Sequence, residues 1–238
     1  IIEDYTLNIF CTEKGKTYVK AISGSGDFLT DPDNNDNIIL TNAHVARHLL
    51  DGKKSCVGRT GSPAATTHKL TLRYIPSHWL GANDTYVIGD PDQSSTGEYD
   101  FALIEASRIV KKTKTKTNIY QVFRPKLYIK ISDYKPSYYS NTSHFIYSYP
   151  AQKTLSLSIY SPLYRKKDKV EIGDIYQSPT LGKNNSLLDA IGSTYVDHGS
   201  SGGMMLSIDT THSLTGLSSI LIKDTRPQIV RIVTMRHV

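Results

Sequence analysis

The sequence predicts an all-β fold, and three observations carry that expectation. Short runs rich in Ile, Val, Tyr, Thr and Leu recur along the chain, separated by clusters of Gly, Pro, Asn, Asp and Ser; this spacing suits a sandwich or barrels. No long segment carries the apolar periodicity of a helix. Near the middle, residues 111–117 are all Lys and Thr with nothing apolar to bury, so an exposed connector is expected there.

In chain order, strands are expected at 5–11, 18–22, 38–41, 69–75 and 101–105, then at 127–131, 144–149, 154–160, 203–208, 214–222 and 229–234. Each is short and rich in the β-branched, aromatic and aliphatic residues that suit a pleated surface. A short helix is expected at 43–50, with a weaker helical signal near the C-terminus. The division that follows is a first β half at 1–110, a polar connector at 111–118 and a second β half at 119–238.

At 238 residues the chain has ample length for a sizeable core, and 38% hydrophobic against 21% charged residues excludes a disordered chain. No apolar run approaches the roughly 20 residues of a membrane helix, so no membrane segment is expected. The net charge of +6 sits largely in two clusters, Lys111, Lys112, Lys114 and Lys116, then Arg165, Lys166, Lys167 and Lys169. They read as solvated loops, and no aromatic-plus-basic motif accompanies them, so no nucleic-acid partner is expected. Cys11 and Cys56 could pair in an oxidising compartment or stay as two thiols; neither has CxxC spacing. A chain that begins at Ile1 is expected to be a processed form or an expressed piece, and no signal peptide is visible.

Three polar residues stand in patterns that chemistry uses. Ser201 lies in Gly199-Ser200-Ser201-Gly202-Gly203. A serine hydroxyl needs a base to take its proton and donors to hold the resulting oxyanion, and glycines let a turn aim backbone N–H groups at one point. His44 ends the apolar run Ile38-Ile39-Leu40-Thr41-Asn42-Ala43, where it could reach into a cleft. Asp100 opens the apolar strand Phe101-Ala102-Leu103-Ile104, where a buried carboxylate could orient an imidazole.

In the order His, Asp, Ser, these motifs resemble the trypsin-like (chymotrypsin-fold) serine proteases. Thr41-Asn42-Ala43-His44 is similar to the family's histidine segment, in a form common among bacterial members. Tyr99-Asp100-Phe101-Ala102-Leu103-Ile104 is similar to its aspartate strand, and 199–203 to its G-x-S-G-G turn. The gaps, about 56 and about 101 residues, also fit. Upstream, Ser23-Gly24-Ser25-Gly26-Asp27-Phe28-Leu29 resembles a G-S-G-F-(L/I) strand of the same family.

The resemblance implies two six-stranded antiparallel Greek-key barrels packed with the active site between them, His44 and Asp100 from the first barrel and Ser201 from the second. It implies a serine endopeptidase: His44 as general base and then acid, Asp100 orienting it, Ser201 forming an acyl-enzyme, and the N–H groups of Gly199 and Ser201 as the oxyanion hole. Substrate contacts fall on Tyr195, Val196, His198, Ser218, Ser219 and Ile220, with 219–221 pairing to the substrate backbone. The partner is a protein or peptide substrate, no cofactor or metal is implied, and a secreted or periplasmic placement is expected.

Departures narrow this. Ser200 stands where digestive trypsins carry the aspartate that receives a newly cut N-terminus, so no zymogen-type activation is expected. Tyr195 stands where a Lys/Arg-specific enzyme would carry aspartate, and Ser218 where Glu-specific relatives carry histidine, which favours an apolar or small P1 residue; Asp197 and His198 lie at the pocket rim.

Rival readings are a catalytically silent trypsin-like domain that binds protein segments, and a viral polyprotein protease of narrow specificity. The Gly199-x-Ser201-x-Gly203 pattern also fits an α/β-hydrolase elbow with Asp224 and His237 downstream, but strands rather than a helix are expected after Ser201, and only 37 residues follow it. His44 and His48 could share a metal, but no third ligand is evident, and a structural or solvent-facing His48 is expected.

Overall fold

A computed structural model of the chain describes residues 6–15, 21–30, 37–61, 66–89, 99–112, 118–122, 130–131, 142–150, 166–177, 188–192, 199–207 and 228–232. Most lie in strands. The first six are β1 (Thr6–Glu13), β2 (Ile22–Thr30), β3 (Asn37–Thr41), β4 (Lys54–Thr60), β5 (Thr66–Tyr74) and β6 (Ala102–Lys112). They follow one another in the order β3-β2-β1-β4-β5-β6, and β6 pairs back onto β3. Every pair in that ring is antiparallel, which makes a closed six-stranded barrel.

β7 (Asn118–Val122) pairs onto the outer part of β6. Lys111, Lys112 and Asn118, expected in the connector, therefore lie in strands. The ladder Lys111↔Ile119 and Lys112↔Asn118 satisfies their backbone without apolar content, which is why composition alone reads them as loop.

The second sheet is built from β8 (Lys130–Ile131), β9 (Thr142–Ser148), β10 (Lys166–Gln177), β11 (Leu188–Gly192), β12 (Met204–Ser207) and β13 (Gln228–Ile232). Its order is β11-β10-β9-β12-β13-β8. Antiparallel pairing is not complete: β13 runs parallel to β8, with Gln228 beside Lys130 and Ile229 beside Ile131. Lys166, Lys167 and Lys169, read as a solvated loop, stand in β10, where the ladder to β9 runs from Lys166↔Ser148 to Ile172↔Thr142. The strands expected at 154–160 and 214–222 lie outside the described residues.

The barrel's core follows the two-residue period of its strands. Leu7, Ile9 and Cys11 on β1 are buried, as are Ala102, Ile104 and Ala106 on β6, with Phe28 and Trp79 filling the space between. Cys11 and Cys56 face each other across β1 and β4 and form a disulfide closing 45 residues.

The expected helix at 43–50 is a single turn, α1 (Ala43–Ala46), continued as a tighter turn over Arg47–Leu50. It lies close on β2. A Cβ on Gly24 would come within 2.4 Å of Val45 Cγ1, so only glycine lets α1 approach this strand. That also explains why β2, with its Gly and Ser residues, shows as a strand only in the resemblance of 23–29, while composition places a strand at 18–22. No helix among the described residues is long and apolar enough to cross a membrane.

Candidate active site

β3 ends at Thr41 and the chain turns at once into α1. Asn42 has the extended backbone of a capping residue, and its carbonyl accepts the N–H groups of Val45 and Ala46 at 3.2 and 3.0 Å. Its side chain makes no cap. Asn42 Nδ2 instead donates to the Asp100 carbonyl at 2.9 Å. With Ala43, Val45 and Ala46 buried, α1 is anchored on three sides and His44 is left half-buried.

Asp100 stands at the mouth of β6 with its carboxylate almost wholly buried. Its backbone is held from both directions. Trp79 Nε1 donates to the carbonyl before it, that of Tyr99, at 2.9 Å, and Asn42 holds its own carbonyl. Its carboxylate then accepts two donors from a single residue. The backbone N–H of His44 reaches Oδ1 at 3.0 Å, and imidazole Nδ1 lies 2.9 Å from Oδ2 and 3.1 Å from Oδ1. Nδ1 beside a carboxylate carries the ring proton, which leaves the Nε2 lone pair to accept one.

Ser201 lies in the 199–203 turn, which enters β12. Gly199 and Gly202 have φ of +90° and +85°, and Gly203 N–H closes the turn on the Ser200 carbonyl at 2.9 Å. The turn is docked on the six-stranded barrel. Ser25 N–H donates to the Ser201 carbonyl at 2.7 Å, and Ser25 Oγ donates to the Gly199 carbonyl at 2.7 Å. A Cβ on Gly202 would lie 2.1 Å from the Ser25 carbonyl oxygen and 2.4 Å from Thr41 Oγ1. Thr41, three residues before His44, itself donates to that Ser25 carbonyl at 2.6 Å. The turn is thus set against the same strand ends that launch α1. Among the described residues no hydrogen bond joins His44 Nε2 to Ser201 Oγ.

Ser200 is fully buried and accepts a hydrogen bond from Ser148 Oγ at 3.1 Å. Tyr195, Val196, His198, Ser218, Ser219 and Ile220, with Asp197 at the pocket rim, lie outside the described residues, as do Asp224 and His237.

No protein-family model matches the chain, and no curated protein does. Solved structures similar to it include the scabies mite inactivated protease paralogue S-I1, at TM-score 0.49 and 14% identity over 87% of this chain and 80% of that one. The scabies mite inactivated protease paralogue S-D1 is similar at 0.46 and 14%, over 86% and 77%. The active form of the Rv3671c protease from M. tuberculosis is similar at 0.44 and 14%, over 86% of this chain and 65% of that one. Likeness at this level carries no conclusion about chemistry.

Sequence reading missed several residues that shape this region. Asn42, Trp79 and Ser25 hold backbone carbonyls, and nothing in their local pattern announces partners so far along the chain. His48, in the turn after α1, is buried beside the Tyr86 ring, a structural histidine. Burial above all, with the Lys54 and Arg47 charges adding to it, pushes its pKa down to about 3. Asp27 on β2 is buried too, and loss of water raises its carboxyl well above the ordinary range; the Thr6 hydroxyl offsets only part of this.

Proposed function

We propose that this chain is a serine endopeptidase of the trypsin-like class. The observation that carries the reading is the contact of His44 with Asp100, buried, doubly bonded and set beside the strand ends that receive the 199–203 turn. In this reading His44 Nε2 takes the Ser201 proton and later returns it to the leaving amine. Asp100 keeps the imidazole in the right tautomer and stabilises its cation. Ser201 becomes acylated, with the N–H groups of Gly199 and Ser201 facing the oxyanion, each worth about 3 kcal/mol.

The second sheet is then the wall of a second barrel, with the site between the two halves. Tyr195, Val196, His198, Ser218, Ser219 and Ile220 line the substrate side, for an apolar or small P1 residue. Ser200, a serine where digestive trypsins carry an aspartate, supports activity without N-terminal processing. The Cys11–Cys56 disulfide supports a secreted or periplasmic placement.

The test is peptide-library cleavage with the purified chain. Wild type is expected to cleave, and Ser201→Ala to lose cleavage by at least about 1,000-fold while keeping its fold. Well-folded wild-type protein that cleaves nothing would leave a silent, segment-binding domain instead.

A further inference from the structure

The geometry points to Ser25 as a positioning residue for the nucleophile turn: its hydroxyl, strung between Tyr149 and Gly199, locks the turn with its carbonyls facing away from the reacting group. This inference rests on the serine-protease reading and adds to it a residue outside the triad.

Three consecutive carbonyls of the turn are occupied. That of Gly199 accepts Ser25 Oγ at 2.7 Å, that of Ser200 accepts Gly203 N–H at 2.9 Å, and that of Ser201 accepts Ser25 N–H at 2.7 Å. Two of the three donors belong to Ser25. A planar trans peptide points its C=O and N–H in opposite directions. The Ser201 N–H shares a peptide with the Ser200 carbonyl, which is turned into the loop, so this N–H is turned out of it. A carbonyl on that outer face would repel developing negative charge, whereas an N–H stabilises it.

The direction of the Ser25 proton is also determined. Ser25 Oγ accepts the Tyr149 N–H at 2.9 Å, so its single hydrogen is committed to Gly199. Ser25 is wholly buried, and water cannot easily replace its hydroxyl. Without it, the Gly199 carbonyl loses its donor in a closed space, and rotation of the 199–200 peptide becomes the route to another. Such a rotation leaves the His44–Asp100 contact untouched; the Gly199 and Ser201 N–H groups sit on the peptides either side of it, so turning the Gly199 carbonyl out of the loop tilts both donors and sets a carbonyl beside the face that holds the oxyanion.

Ser25→Ala tests this, because it removes the hydroxyl and keeps the backbone N–H that binds Ser201. We expect kcat to fall by about 100-fold with KM within about twofold, and a peptide aldehyde, which binds as a hemiacetal oxyanion, to weaken by a similar factor. Amide exchange across 199–207 is expected to quicken in the variant. Ser25→Cys, with a weak donor on the same stem, should fall between the two and serves if Ser25→Ala does not fold. Unchanged kcat, aldehyde affinity and amide exchange in a folded variant would overturn the inference, even if its melting temperature fell. Should wild type prove inactive, the serine-protease reading fails alone, and amide exchange still decides the role of Ser25.

Discussion

His44 with Asp100, and the turn that carries Ser201, are held in place by different means. The first pair is assembled within one barrel. Asn42 and His44, two residues apart, both bond Asp100, and Trp79 secures the residue before it. The 199–203 turn instead depends on β2, through Ser25, and on Thr41, which supports Ser25. The proposed base should therefore survive any disturbance that leaves the barrel intact, whereas the 199–203 turn keeps its shape only while docked. Activity can be lost at the turn without loss of the His–Asp contact.

The strongest way to break the first side is Asp100→Asn. The amide can keep the backbone bonds but favours the wrong imidazole tautomer, and kcat is expected to fall about 10,000-fold with little change in thermal stability. On the second side, Gly202→Ala drives a methyl into the Ser25 carbonyl, 2.1 Å away at a φ of +85°. It is expected to lower kcat by about 100-fold or more, with the melting temperature of the barrel nearly unchanged. If instead that barrel melts with the turn, the two supports are not separable.

A smaller effect sharpens the comparison through pH. The folded pKa of His48, about 3, lies below the ordinary histidine value of 6.5. Below pH 6.5 the unfolded chain takes up a proton that the folded chain refuses until about pH 3, so stability is lost as pH falls through that window. Wild type is expected to lose about 2 kcal/mol more than His48→Gln between pH 7.5 and pH 5, by urea titration. Because His48 continues the turn after α1, acid should loosen the histidine side first.

The all-β character and the three motifs were legible because both rest on local pattern. Apolar runs broken by Gly, Asn and Pro mark strands, and glycines around Ser201 mark a tight turn. β2 was legible only through the resemblance of 23–29 to a family strand, and β10 was not legible, for opposite reasons. β2 keeps Gly24 where α1 needs room, so it lacks the apolar density of a strand. β10 opens with Lys166, Lys167, Asp168 and Lys169 and becomes a strand through its ladder to β9. The partners of Tyr99 and Gly199 were hidden because Trp79 and Ser25 act through backbone carbonyls, which leave no mark in the sequence. The burial of Asp27 is of the same kind: it stands amid a glycine-serine run yet lies wholly inside the barrel.

The most direct test of the chemistry proposed for Ser201 is to treat the folded chain with a fluorophosphonate and locate the adduct by mass spectrometry. A single adduct on Ser201, formed at least about 1,000-fold faster than in Asp100→Asn, is the expected result. A folded wild-type protein that gains no adduct, or gains it on another residue, would contradict it.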